Sequence, residues 1–446
     1  MEENGMLQLK EKYDIIIAGA GVAGLNAALF LPRDKDILLI SKESPKHSDS
    51  YLAQGGICVL KWDGDHDIFF EDTLRAGHYE NNRDTVECML RSSRETISDL
   101  LCAGVRFSTD KEGNFLYTRE GGHRAKRIMY HEDCTGREIT SRLYAQAKKL
   151  KNVHIRPYTA LIDLLCDERE NVCAGAVLRD EETGEIKAVS ADYVILATGG
   201  VGGLFRFSTN YRNLTGDGVA VCLKHGVEVE NVDYIQIHPT TLYTKKRGRR
   251  FLISESVRGE GAVLLGADGQ RFTDELQPRD VVAAAIYAQM EKDGADHVLL
   301  DLRTISPDIV RAHFPAIVRR CAEEGYDVFN APIPVVPSQH YFMGGVKSDL
   351  EGKTSMSRLF AVGETCCNGV HGKNRLASNS LLESLVFAKR AALRIANTYE
   401  PLSDDVKKRT VQGFDEREYQ DKKGLAERYK KSVLSEIEKE KEQRKQ

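Results

Sequence analysis

The stretch "YTREGGHRAKR" (Tyr117–Arg127) sets one carboxylate, Glu120, among Arg119, Arg124, Lys126 and Arg127. A loop glutamate is ordinarily solvated unless it is held to meet a positive group. Downstream lie residues that suit anion binding. "IQIHPT" places His238 at the end of an apolar alternation, and "PVVPSQHYFMGG" places His340 before a glycine pair. "QPRDVV" supplies Arg279, and "NRLASN" puts Arg375 in a polar loop that opens the helix "SLLESLVFAKRAALRIA". Each alone reads as an ordinary surface or structural residue. Together, two histidines and two arginines on constrained loops match a dianionic ligand: guanidinium grips carboxylate with a planar pair of donors, and imidazole adds others. Glu255 and Arg258 in "ESVRGEG" stand three apart on one side of a helical turn, which fits a salt bridge.

These residues need a scaffold, and the N-terminal part supplies its beginning. "YDIIIAGAGVAGLNAALFL" gives a β-branched run, Ile15 to Ile17, then Gly19, Ala20, Gly21, Val22, Ala23 and Gly24, then an alanine-rich helix. Glycines between a strand and a helix form a phosphate cradle: a tight turn, bare backbone facing a pyrophosphate, and a helix packed close to the strand. The second strand, "DILLISK", ends in Ser41 and Lys42 rather than in the acid that would hold a ribose, which weakens a plain NAD reading. "SDSYLAQGGI" contributes Asp49, Ser50, Gln54, Gly55 and Gly56, small or polar groups suited to a flat ring system. "ADYVILATGG" is a buried strand ending at Thr198 and Gly199. "TGDGVAVCLKHG" starts a helix at Asp217, and "SRLFAVGETCC" adds Gly363 and Glu364. Cofactor-binding pieces thus occur at the beginning, middle and end of the chain.

The 446 residues exceed what one compact core holds, so two or three domains are expected. With 41% hydrophobic and 29% charged residues the composition is that of a soluble globular protein. A net charge of -4 argues against nucleic acid or an anionic membrane as principal partner. No apolar run approaches the roughly 20 residues that span a bilayer. "MEENGMLQLKEKYD" lacks an apolar signal core, and the ten cysteines include no CxxC pair. The expectation is a cytoplasmic protein with reduced thiols and no metal site.

In this order and spacing, "GAGVAGLNAAL", "YLAQGG", "REGGHRAKRI", "TGREI", "ATGG", "TGDG", "IQIHPT", "ESVRGEGA", "QPRDVV", "PSQHYFMGG", "AVGE" and "HGKNRLASNSLLE" resemble the flavoproteins of the succinate dehydrogenase and fumarate reductase family, from about Tyr13 to Ala388. The resemblance implies an α/β fold: a Rossmann-like FAD-binding domain (1–231 and 342–400) with an inserted α+β capping domain (232–341). A charged C-terminal tail (401–446) would follow, either a solvated helix or partly disordered. It implies that Leu161, Ser380 and Leu381 join the cradle residues, Ser41, Lys42, Asp49, Ser50, Gln54, Thr198, Gly199, Asp217 and Glu364 in holding FAD. His238, His340 and Arg375 would bind substrate carboxylates, Ser254 would add a hydroxyl, and Arg279 would transfer a proton fed by Glu255 and Arg258.

Two positions place the chain within the family. Five residues before Gln54, where covalent members have a histidine, stands Asp49, so FAD should be bound non-covalently. Glu120 matches the position where the members that oxidise aspartate carry a glutamate facing the substrate ammonium. The implied reaction is hydride transfer from L-aspartate to FAD, giving iminoaspartate, with reoxidation by oxygen or fumarate. That product feeds quinolinate and NAD synthesis, which implies a functional link to quinolinate synthase. A soluble fumarate reductase or succinate oxidase is the alternative, and a non-catalytic flavin-binding subunit is a second. One departure stands out: family members of this kind usually end in a helical domain of about a hundred residues, twice the stretch that follows "NTYEPL" here.

Overall fold

The protein is described from a computed structural model, which covers residues 9–246 and 248–444. The run Ile15–Ile17 is fully buried and forms the centre of strand Lys12–Ala18. This strand pairs in parallel with Ile37–Ile40 on one side and Ile186–Leu196 on the other. Val153–Arg156 extends the first edge in parallel; Val172–Asp180 and Thr159–Asp167 extend the second in antiparallel fashion. Leu359–Ala361 returns to pair in parallel with the last residues of Ile186–Leu196, completing a seven-stranded sheet.

Alternate residues of the first strand feed two cores, as the two-residue period of a strand requires. Ile15 and Ile17 pack beneath the helices Val22–Phe30, Arg83–Cys102, Thr135–Ala147 and Asn379–Asn397, whereas Ile16 packs on the opposite face with helix Asp217–Lys224. The turn after the first strand depends on two glycines. Gly19 has φ +119°, and a Cβ there would stand 2.0 Å from the Ala197 carbonyl oxygen. A Cβ on Gly24 would stand 1.9 Å from the Gly19 carbonyl oxygen, so only glycine lets this helix lie so close to its strand.

A second sheet, in the order Ile235–Leu242, Ile333–Phe342, Val298–Asp301, Val263–Leu265, is antiparallel throughout. It has its own core around Leu264, Ile286, Leu300 and Ile317. The chain enters and leaves this unit at adjacent points. The Met343 amide donates to the Tyr234 carbonyl at 3.0 Å, and a Cβ on Gly344 would stand 1.9 Å from the Asn231 carbonyl oxygen.

The C-terminal tail is helical, one of the two forms expected of it, but it is packed rather than solvated. It forms helices Asp404–Gln412 and Lys422–Gln443, and both lie on the body of the protein. Leu425, Tyr429, Val433 and Ile437 recur every fourth residue and make a narrow stripe; Val433 and Ile437 are buried in the second core. Buried Asp163 ties the tail down, accepting from Tyr419 Oη at 2.5 Å and meeting His225 Nε2 at 2.7 Å and the Lys224 ammonium. At the far end, Arg444 Nε donates to Asp233 at 2.9 Å and its NH2 group to Asn231 Oδ1 at 2.5 Å, beside the entry to the second sheet. Among the described residues, no helix is long and apolar enough to cross a membrane.

Candidate active site

The turn after the first strand, the Ser48–Gly56 stretch, the second sheet and the loop before helix Asn379–Asn397 enclose one cleft of about 1700 Å³, counting the solvent at its mouth. All the residues expected to hold FAD line it except Val22 and Gly24, which sit in the helix behind. Of the expected substrate and proton-transfer residues, only Arg258 does not reach the wall. The floor suits a large cofactor. Gly19, Gly21, Gly55, Gly56 and Gly199 present bare backbone, and Gln54 Oε1 and Asp49 Oδ2 are buried with no partner among the described residues. The chemistry of these donors fits the phosphates, ribityl hydroxyls and ring edge of FAD.

Lys42 and Asp217 line the cleft as a pair: the ammonium donates to Asp217 at 2.8 Å and to Thr215 Oγ1 at 2.9 Å. Asp49 accepts from the Tyr211 amide at 3.0 Å, and burial pushes its carboxyl up to about 7 against the opposing influence of that amide and of Arg249. His47 sits nearby, half turned to solvent, with Nδ1 2.9 Å from Glu43.

Glu120 is 2% exposed, so it is no solvated loop charge. Ser256 Oγ donates to its Oε1 at 2.5 Å and Ser378 Oγ to its Oε2 at 2.6 Å. Burial, and then the nearby Glu255 carboxylate, raise its pKa against the pull of the two hydroxyls and Arg279. Two of the roughly four acceptor positions of a carboxylate are therefore filled, leaving the others for the cleft.

Glu255 behaves oppositely. Burial opposes its ionisation, but the guanidiniums of Arg279 and Arg258 outweigh it and hold the carboxyl below the usual range. Arg279 Nε donates to Glu255 Oε2, Arg279 NH1 to Gln236 Oε1 at 2.7 Å, and Arg258 lies 3.2 Å from Glu255 Oε1. Ser254 caps this short helix and also lines the cleft.

The two histidines stand on neighbouring strands, His238 midway along Ile235–Leu242 and His340 near the end of Ile333–Phe342, ring centroids 5.0 Å apart. His238 Nδ1 lies 3.1 Å from the Thr240 amide and carbonyl; accepting from the amide leaves the ring proton on Nε2, which is buried without a partner among the described residues. His340 Nδ1 lies 2.7 Å from Thr209 Oγ1. Burial, then nearby Arg279, depress the pKa of both far below the usual value, so both are neutral donors or acceptors. Arg375 is buried, stacked 4.4 Å over the Tyr341 ring and bonded to Ser380 Oγ at 3.1 Å; burial, then Arg279, pull its pKa down to about 10. No carboxylate within salt-bridge reach answers Arg375 among the described residues, which leaves its guanidinium free to meet an anion.

Several residues escaped the sequence reading. Ser256 and Ser378 hold Glu120, Gln236 orients Arg279, Thr209 orients His340, and Tyr341 floors Arg375. Serine, threonine and glutamine are too common to stand out, although Ser256 and Ser378 fall inside "ESVRGEG" and "NRLASNS".

A strand–glycine turn–helix cradle that opens into a cleft bearing Arg279, Arg375, His238 and His340 defines an FAD-binding flavoprotein. The chain belongs to the FAD binding domain family, whose model matches residues 14–381, and its cofactor is FAD. Its relatives include the L-aspartate oxidase of Clostridium perfringens, 46% identical over 408 residues, 91% of this chain and 92% of that one. That of Clostridium acetobutylicum is 45% identical over 383 residues, covering 86% and 87%. Among solved structures, a quinol fumarate reductase of E. coli superposes with a TM-score of 0.83 at 28% identity, covering 96% of this chain and 82% of that one. The family resemblance read from the motifs holds.

Proposed function

We propose that the protein oxidises L-aspartate to iminoaspartate. The observation that carries this reading is Glu120, a buried carboxylate on the cleft wall with no cation within salt-bridge reach among the described residues, whereas its buried neighbour Glu255 is held by Arg279 and Arg258. Relatives named L-aspartate oxidase at 45–46% identity support it. Arg375 and the histidine donors bind the two substrate carboxylates, with Ser254 adding a hydroxyl. Glu120 pairs with the α-ammonium and, with its raised pKa, takes the one proton that must leave nitrogen as the Cα–H bond breaks. FAD, when bound, accepts the hydride from Cα. Arg279, fixed by Glu255 and Gln236, neutralises charge beside the reacting carbon and connects through Glu255 to Arg258 as a proton path for a dicarboxylate acceptor. The segment 232–341 acts as a lid, 1–231 and 342–400 hold FAD non-covalently, and the protein works in the cytoplasm. Oxygen or fumarate takes the electrons, and the imine serves a quinolinate-forming enzyme.

The test is anaerobic mixing. Aspartate should bleach the flavin absorbance, and succinate should do so far more slowly. Equal bleaching by both would return the protein to the succinate oxidase reading.

A further inference from the structure

Two loops at the mouth of the cleft carry charge out of proportion to a chain of net charge -4. "LFRFSTNYRNLT" (204–215) and "LYTKKRGRRFLI" (242–253) contain seven arginines and lysines and no aspartate or glutamate. The structure brings them together: the Arg250 amide donates to the Ser208 carbonyl at 2.8 Å, and Arg206 and Arg250 both lie against the Phe207 ring, 5.0 and 4.7 Å from its centroid. Arg212 NH2 donates to the Arg206 carbonyl at 2.8 Å, and Arg249 NH1 to the Thr209 carbonyl at 3.3 Å. Among the described residues of these loops only Lys246 has a carboxylate partner, Glu324 at 2.9 Å; Arg206, Arg212, Lys245, Arg249 and Arg250 have none within 4.0 Å. The same loops form the wall of the cleft at Thr209, Asn210, Arg249, Phe251 and Leu252. Cations with no carboxylate within 4.0 Å therefore gather on the two loops that wall the cleft beside His340, and Arg249 itself lines it.

We propose that this basic rim selects the reactants by net charge, drawing in dianionic dicarboxylates such as fumarate most strongly, monoanionic aspartate less, and neutral oxygen not at all, and so biases the choice of electron acceptor toward fumarate. The argument is electrostatic. A cleft bordered by charge of one sign raises the local concentration of oppositely charged ligand and its association rate, and the logarithm of that gain scales with ligand charge. At neutral pH aspartate carries two carboxylates and one ammonium, a net charge of one; fumarate carries two carboxylates and no ammonium. Fumarate takes the hydride at one olefinic carbon and a proton at the other, giving succinate; oxygen takes the same electron pair with two protons, giving hydrogen peroxide. The rim acts before either step, on encounter alone. This inference rests on the proposed aspartate oxidation for its donor half; the acceptor half stands apart from it.

The experiment measures three second-order rate constants by stopped flow: flavin reduction by aspartate, and reoxidation of dithionite-reduced enzyme by fumarate and by oxygen. Arg206 and Lys245 are exposed, and neither side chain donates a hydrogen bond among the described residues, so Arg206→Glu/Lys245→Glu reverses two charges without dismantling the loop. If the rim contributes about one kT per unit charge at low salt, the variant should lose about threefold with aspartate and, by the square, about ninefold with fumarate, with oxygen unchanged. The limiting reduction rate at saturating aspartate should stay constant. Equal losses with all three reactants, or none, would overturn the proposal. The native enzyme gives a check independent of folding in the variant: raising salt should slow fumarate with about twice the logarithmic slope seen for aspartate and leave oxygen flat. A native fumarate rate indifferent to salt refutes charge selection whatever the variant does. Failure of aspartate to reduce the flavin at any concentration would instead sink the proposed function, and the fumarate and oxygen arms would still read the rim.

Discussion

Replacing Glu120 with glutamine probes the site most directly. The side chain keeps its shape, and one oxygen still accepts from Ser256 or Ser378, but the other serine loses its acceptor and the charge disappears. At 2% exposure the lost contact to a substrate ammonium is shielded from water, so it falls in the range of a charge-assisted hydrogen bond, roughly 1.5–3 kcal/mol, or about ten- to hundredfold in kcat/KM for aspartate. Succinate and fumarate have no ammonium to lose. Their binding should hold or improve slightly, because the variant removes a negative charge from the wall that a dianion must face. The measurement is the ratio of aspartate to dicarboxylate specificity, since damage to the fold depresses both terms together. pH adds a second signature. Glu120 has a raised pKa, so its anionic form, and with it amine selectivity, is present above that value and fades as pH falls through it. In the variant the ratio should be lower and should lack this step. A ratio that neither drops nor loses its pH dependence would show that the buried carboxylate does not read the amine.

Arg279→Lys should abolish most flavin reduction by aspartate while FAD stays bound, because lysine cannot bridge Glu255 and Gln236 at once; loss of the yellow colour would make Arg279 structural instead. Acid precipitation should release FAD into the supernatant, since Asp49 occupies the position of the covalent histidine, and flavin retained in the pellet would refute this. Asp163 has a depressed pKa: burial opposes its ionisation, but His225, Lys224 and Tyr419 outweigh it. Its contribution is therefore present above the ordinary carboxylate value near 4 and lost as pH falls through the lower folded value. Asp163→Asn should free the tail at neutral pH, read as faster limited proteolysis after residue 400; unchanged cleavage would show that the apolar stripe alone holds it.

The legible parts of this protein were those where residue type and backbone geometry coincide. Gly19 and Gly24 were readable because no other residue fits between that strand, its helix and the Ala197 carbonyl. His238 and Arg279 were readable because each adjoins a proline, Pro239 and Pro278, and Arg375 because it stands in a polar stretch just before a helix. The clamps were not: Ser256 and Ser378 reach Glu120 from chain positions 136 and 258 residues away, and nothing local marks them. The tail's helix was legible but its packing was not, for another reason. Leu425, Tyr429, Val433 and Ile437 give one apolar residue per turn, the minimum that can seat a helix, and the lysines and glutamates between them dominate any average over the segment.

The adjacent entry and exit of the second sheet turn it into a book cover on a single spine. Any swing must pivot near Asn231–Tyr234 and Met343–Gly344, where Arg444 also anchors the last helix. His238 lies four strand residues from that pivot and His340 three, so at about 3.3 Å per residue they ride on lever arms of about 10–13 Å. A rotation of about 10° then displaces each imidazole by only about 2 Å. Both imidazoles stand on paired strands of that one sheet, so they move as a unit, and a carboxylate meets the two donors together wherever the sheet stands.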